Sequence, residues 1–251
     1  MSGRRKRFID NSILVVPSLF TTANLFCGFY SIVASLKGDF IFASYLILAA
    51  AVFDMVDGRV ARWANGGTDF GREYDSLCDL VSFGVAPVVL AYLHYLSFIP
   101  KIGWIVAFLY VACGALRLAK FNVCCTNADP KYFNGLPIPV AAVVVVSGFL
   151  FFNRLVFSAY DQYYFMLLLI LVSILMVSSI KYKSYKKPEK TVRKGVYTNT
   201  ILFLLLLVVV ATNPDIILFI LAFIYLLQGM FMELYKVIGV SLRKNRDKKR
   251  S

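Results

Sequence analysis

Long apolar runs, separated by short polar or Gly- and Pro-bearing segments, fill most of this chain. Hydropathy predicts helices at about 13–35, 40–62, 72–97, 102–122, 136–153, 163–181, 197–212 and 215–236, eight stretches near the ~20 residues that cross a ~30 Å hydrocarbon layer. Backbone amides in lipid must be satisfied within their own segment, so these runs are read as helices. Stretches such as Leu167 to Met176 lack the period-two alternation that gives a membrane β-barrel its polar lumen. The pattern therefore predicts an all-α fold, a polytopic transmembrane helical bundle. Its expected units are a basic interfacial segment at 1–12, a six-helix unit at 13–181, a basic linker at 182–196, a C-terminal hairpin at 197–236 turning at Asn213-Pro214-Asp215, and a basic tail at 237–251.

Composition agrees, with 59% hydrophobic residues and a mean hydropathy of +0.72. The net charge of +13 acquires its meaning from placement. On the predicted spans, 24 of the 27 Lys and Arg residues fall on one side, against Lys37, Lys101 and Arg154 on the other. The positive-inside rule then puts both termini in the cytoplasm and predicts a cell (inner, cytoplasmic) membrane protein. Because no soluble domain carries the charge, membrane lipids with anionic headgroups are the expected partners, and nucleic acid is not. The first apolar run reaches spanning length, so it is read as a retained helix, not a cleaved signal. Cys27, Cys78, Cys113, Cys124 and Cys125 show neither a secreted framework nor zinc spacing and are read as reduced. Without a visible internal repeat, the inverted-repeat design of many transporters gains no support.

Against this background four acids stand out. Asp54, Asp57, Asp75 and Asp79 lie within 26 residues, although an Asp at the centre of a membrane helix costs about 2.5–3.5 kcal/mol. Asp54, Asp57, Gly58, Ala61 and Arg62 share one stripe of the second helix, and Gly71, Asp75 and Asp79 share one stripe of the third. The Asn65-Gly66-Gly67-Thr68 reversal between them lets the two stripes face each other. Four converging carboxylates repel unless cations neutralise them, and an all-oxygen donor set suits Mg²⁺ or Mn²⁺, with Ca²⁺ possible, over zinc. Two such ions clamp a diphosphate in two-metal phosphoryl chemistry. Gly58, Ala61 and Gly71 then leave room for a nucleotide, and Arg62 offers a planar fork to phosphate oxygens. The competing reading pairs the acids with Arg59, Arg62 and Arg72 and gives the glycines to helix packing. Asp69 lies off the stripe and is read as a cap for the third helix. On the first helix Pro17, Thr21, Asn24 and Gly28 also form a stripe, which by itself reads as a proline kink and small-residue packing.

The run Asp54-x-x-Asp57-Gly58-x-x-Ala61-Arg62, followed after eight residues by Gly71-x-x-x-Asp75-x-x-x-Asp79, resembles the signature of the CDP-alcohol phosphotransferases. The resemblance implies six core transmembrane helices, a homodimer and a cytoplasm-facing cavity. It also implies two divalent ions held by the four acids, with Asp79 doubling as general base. Thr21 and Asn24 match the family's stretch beside the nucleotide, where Ser18 replaces its first Asn. Arg117-x-x-Lys120-Phe121-Asn122 and Phe133-x-Gly135-Leu136-Pro137-x-Pro139 are similar to blocks of the phosphatidylserine synthase branch, which implies CDP-diacylglycerol and L-serine as substrates. Arg117, Lys120, Asn122 and Gly135 are accordingly candidates for contact with the acceptor or a lipid phosphate; otherwise the cations are topology anchors. Glycerol 3-phosphate or an inositol phosphate as acceptor, and a divalent-cation transporter, stand as alternatives. His94, near the outer end of the third helix, is expected to take no part in catalysis.

Overall fold

The computed structural model describes residues 2–63, 69–124, 132–154, 160–178, 181–183 and 216–228. Its helices are α1 (Ser2–Leu36), α2 (Phe40–Trp63), α3 (Asp69–His94), α4 (Gly103–Cys124), α5 (Ile138–Arg154), α6 (Asp161–Val177) and α7 (Ile216–Gln228). The helical bundle expected from hydropathy is present. By length and composition, α1 to α4 each hold a stretch able to cross a membrane, and α5, α6 and α7 are shorter apolar helices. The expected helix at 197–212, the reversal at 64–68, and the linker and tail lie outside the described residues. The basic segment before the first span is helical and continuous with it from Ser2.

Local chemistry explains the joints. At the end of α1, Gly38 adopts φ +86°, while Asp39 N–H donates to the Ala34 carbonyl and Gly38 N–H to that of Ser35. This Schellman closure needs a left-handed residue after the helix, which glycine supplies without strain. The Asp39 carbonyl then accepts the Ala43 amide and starts α2. Small buried residues on α2, Ala43 and Ala50, let α1 lie close, and Ser31 Oγ donates to the Ala43 carbonyl at 2.9 Å.

α3 is not uniform. It runs as α-helix from Asp69 to Asp79, widens to a π-helix over Leu80–Val85, and resumes as α-helix over Ala86–His94. Pro87 has no N–H for the Phe83 carbonyl four residues back; the fully buried Tyr110 of α4 donates its hydroxyl to that carbonyl at 3.2 Å. The widened turn begins directly after Asp79 and carries the buried Ser82 toward α1. There Ser82 Oγ donates to the Asn24 carbonyl, and Gly28 lets the two helices meet.

α5 sits in the middle of the bundle, with ten of its residues buried around its circumference. Seventeen residues give only about 25 Å of helix. α6 was expected to extend to residue 181 but ends at Val177, because Ser178 turns to ψ 154°. Residues Lys181–Lys183 instead form a short strand antiparallel to Tyr132–Asn134. This ribbon joins the entry of α5 to the exit of α6. Gly135, at φ +79°, follows it; a Cβ there would strike the Met176 carbonyl. Leu136, fully buried, donates its N–H to the Leu175 carbonyl at 3.1 Å. Gly135, a candidate acceptor residue by sequence, thus has a backbone reason to be glycine.

The α1–α3 contact makes a clear prediction. A Cβ on Gly28 would lie 2.6 Å from Ser82 Cα, which is main chain and has little freedom to yield. Gly28→Ala is expected to destabilise the protein by about 1–3 kcal/mol through overpacking. Thermal melts of the detergent-solubilised protein check this, and an unchanged Tm would contradict it.

Candidate active site

Three helices contribute to one polar cluster near the end of the bundle where α2 and α3 meet. α2 brings Asp54 and Asp57, and α3 brings Asp75 and Asp79, from stripes set by the three- and four-residue spacings. One carboxylate oxygen from each of Asp54, Asp75 and Asp79 lies within 4.8 Å of the others. Asp57, 6% exposed, stands beside this trio, accepting a hydrogen bond from Thr21 Oγ1 and reaching Asp75. Asp79, 7% exposed, accepts from Asn24 Nδ2 at 3.0 Å. Thr21 and Asn24, expected beside a nucleotide, are therefore the immediate hydrogen-bond donors to two of the acids. One turn of α1 separates them, so a single helix face orients both carboxylates.

The electrostatics of this arrangement call for positive charge. Two carboxylates 4.8 Å apart repel by on the order of 3 kcal/mol even at an effective dielectric of about 20. Of the arginines in the competing assignment, Arg72 pairs instead with Asp69 at 2.9 Å, at the exposed start of α3, and the side chain of Arg62 lies outside the described residues. Asp69 is the first residue of that helix, in keeping with its expected place at the terminus. Asp75 Oδ1 is buried and meets no hydrogen-bond partner. Neighbouring ligands of an octahedral Mg²⁺ ion stand about 3 Å apart and opposite ones about 4.2 Å, so the oxygen trio would draw together around such an ion. The residues fit a hard divalent cation.

Space beside the cluster points the same way. A Cβ added to Gly58 would meet nothing within 4 Å, so the missing side chain does not serve helix packing and instead leaves the face of α2 open. Gly71 occupies the corresponding face of α3, half-buried. The side chains of Ala61 and Arg62 lie outside the described residues. His94 packs among Phe40, Tyr95 and Phe149, at the other end of α3 from the acids.

A signature of the CDP-alcohol phosphatidyltransferases matches residues 14–178, which contain every acid of the cluster and both α1 donors. The chain belongs to this family. A CDP-diacylglycerol–serine O-phosphatidyltransferase of Helicobacter pylori (strain ATCC 700392 / 26695) is 36% identical over 94% of this chain and 98% of that protein. One of the same name from Bacillus subtilis (strain 168) is 37% identical over 68% of this chain and 92% of that protein. An archaetidylserine synthase of Methanothermobacter thermautotrophicus is 41% identical over 68% of this chain and 70% of that protein.

In this CDP-alcohol phosphatidyltransferase the remaining predicted residues separate into two groups. Asn122 is drawn into a clasp between α4 and α3: its Nδ2 donates to Glu73 Oε2 at 3.0 Å, and its amide exchanges contacts with Ser76 Oγ. Glu73 and Ser76, one turn apart on α3, escaped the sequence reading because they lie off the acid stripe. So did Tyr74, whose hydroxyl meets Thr22 Oγ1 at 3.1 Å, and Ser82. Arg117, by contrast, turns inward from α4. Its Nε is buried without a hydrogen-bond partner, and its guanidinium lies within electrostatic reach of Asp79. Lys120 is exposed near the end of the same helix.

Replacing Asp75 by Asn would remove one charge from the trio and one hard ligand. Asp75→Asn is expected to weaken Mn²⁺ binding at least tenfold, read by calorimetry on the purified protein, whereas Asp69→Asn leaves it unchanged. Equal affinities in the two variants would contradict the cluster as a cation site.

Proposed function

We propose that this protein is a phosphatidylserine synthase, transferring the phosphatidyl group of CDP-diacylglycerol to the hydroxyl of L-serine with release of CMP. The observation that carries the reading is the Asp54, Asp75 and Asp79 cluster, set within a membrane bundle whose relatives include serine phosphatidyltransferases matched along nearly their whole length. The transporter alternative falls with the family assignment. In this reading the enzyme is a homodimer in the cytoplasmic membrane, with termini and cleft facing the cytoplasm. Support for the orientation comes from the lopsided distribution of Lys and Arg.

Asp54, Asp57, Asp75 and Asp79 would hold two divalent cations, Mg²⁺ or Mn²⁺, which when bound neutralise the diphosphate and polarise its phosphoryl oxygens. The protein's own part is orientation and proton movement. CDP-diacylglycerol keeps its acyl chains in lipid and lays its diphosphate along the open face at Gly58 and Gly71, with Arg62 near its oxygens. Asn24 holds Asp79 by Oδ1, leaving Oδ2 to accept the serine hydroxyl proton. The serine oxygen bonds to the phosphorus that carries diacylglycerol, the bond from that phosphorus to the bridging oxygen breaks, and CMP departs. A base of this kind contributes typically 10²- to 10⁴-fold.

Serine also brings a carboxylate into the bundle. Arg117, inward-facing and close to Asp79, supplies the matching cation, with Lys120 at the approach. A charge-assisted hydrogen bond is worth about 1.5–3 kcal/mol, so Arg117→Ala is expected to raise the serine KM about 10- to 100-fold while the KM for CDP-diacylglycerol stays within about twofold. The reading itself is tested by offering CDP-diacylglycerol with serine, glycerol 3-phosphate or inositol phosphate to the purified protein and following CMP release. Serine should be used fastest; faster turnover with either phosphorylated acceptor would overturn the assignment.

A further inference from the structure

Asn24 of α1 is held by α3 at two points. Its Nδ2 donates to Asp79 Oδ1 at 3.0 Å, and its main-chain carbonyl accepts from Ser82 Oγ at 3.0 Å. The two α3 residues flank the place where that helix widens: Asp79 closes the α-helical stretch and Ser82 lies in the π-helical turn over Leu80–Val85. All three residues are buried, Asn24 and Ser82 completely. One turn further along α1, a Cβ on Gly28 would stand 2.6 Å from Ser82 Cα, so the two main chains nearly touch where the hydroxyl reaches across.

Satisfying polar groups does not by itself explain the Ser82 bond. The Asn24 carbonyl lies inside α1, where the amide four residues on is its regular partner, so Ser82 comes as a second donor. Nor does the hydroxyl need another helix. Ser44 and Ser173, also buried, donate to the carbonyls of Phe40 and Leu169 four residues back on their own helices, the common solution for a helical serine. The turn that carries Ser82 is pinned in addition from α4, whose Tyr110 hydroxyl donates to the neighbouring Phe83 carbonyl at 3.2 Å.

We infer that Ser82 is a positioning residue for Asp79, acting through Asn24. By gripping the Asn24 carbonyl it fixes where α1 lies along α3, and so where the Asn24 amide presents its N–H to the carboxylate. This rests on the proposed use of Asp79 as the base. Because Asn24 is fully enclosed, its amide follows its main chain, and a slide of α1 by about 1 Å would carry the 3.0 Å bond out of its effective range. Asp79 would then be free to turn, and its Oδ2 would no longer meet the acceptor hydroxyl at a set angle. Misplacement of that size at a reacting group costs up to about 10²-fold in rate. The relay runs between α1 and α3 alone, so it acts on the chemical step and leaves substrate binding to other groups.

The test uses the full chain in detergent micelles, with CDP-diacylglycerol and serine as substrates and Mn²⁺ as the metal. Ser82→Ala removes only the hydroxyl. It is expected to lower kcat about three- to tenfold, the effect of one neutral hydrogen bond, while both KM values and the Mn²⁺ affinity stay within about twofold. An Asn24→Ala background keeps the main-chain carbonyl but removes the amide. There Ser82→Ala should lower Tm as much as it does in wild type and yet leave kcat unchanged, because the relay to Asp79 is already cut. An unchanged kcat in the single variant would overturn the inference, and so would the same kcat loss in both backgrounds, which marks a merely structural serine. The readings fail separately: a fall in Mn²⁺ affinity in place of kcat strikes Asp79 as base and the relay with it, whereas kcat and affinity both like those of wild type strike Ser82 alone.

Discussion

Charge repulsion inside a low-dielectric bundle is the constraint around which this protein is organised. Three carboxylates within 4.8 Å of one another, with a fourth alongside, are expensive in a membrane protein unless each is held by donors and the group is neutralised. The surrounding structure meets part of the first requirement from α1, where Thr21 and Asn24 hold Asp57 and Asp79. Those donors reach the acids only because α1 crosses α3 closely at Gly28 and Ser82, and the π-helical turn after Asp79 carries Ser82 into that contact. Widened helical turns recur at functional sites because they re-aim side chains without breaking the helix. The second requirement is left to a divalent cation, whose charge the phosphoryl transfer needs in any case.

The sequence revealed the parts of this site that depend on local spacing. Acids three and four residues apart must share a helix face, so the two stripes could be read directly, as could the spans and the room at Gly58. Partnerships between distant helices were less accessible. Periodicity says which way Thr21 and Asn24 point but not what they touch, and their hydrogen bonds to Asp57 and Asp79 could not be read from it. The clasp of Asn122 on Glu73 and Ser76 was equally out of reach. The end of α6 and the ribbon that follows it went unseen for another reason. Lys181 and Tyr182 lie at the edge of an apolar run, where hydropathy averages over a turn that pairing with Phe133 decides.

A division of labour runs through the chain. The part that matches the family holds the acids, their α1 donors and the open face at Gly58. Farther along, Arg117 turns inward from α4 and α7 closes against α5. About two thirds of this chain accounts for 92% of the Bacillus subtilis relative, whereas 94% of it matches the Helicobacter pylori one.

The central claim, that the buried carboxylates exist to bind a cation together with a diphosphate, is tested most directly by titrating Mn²⁺ into the purified protein with and without CDP. The account predicts saturable binding that tightens when CDP is present, because the diphosphate supplies further oxygen ligands to the same ions. Binding that is absent, or whose affinity is indifferent to CDP, would contradict it.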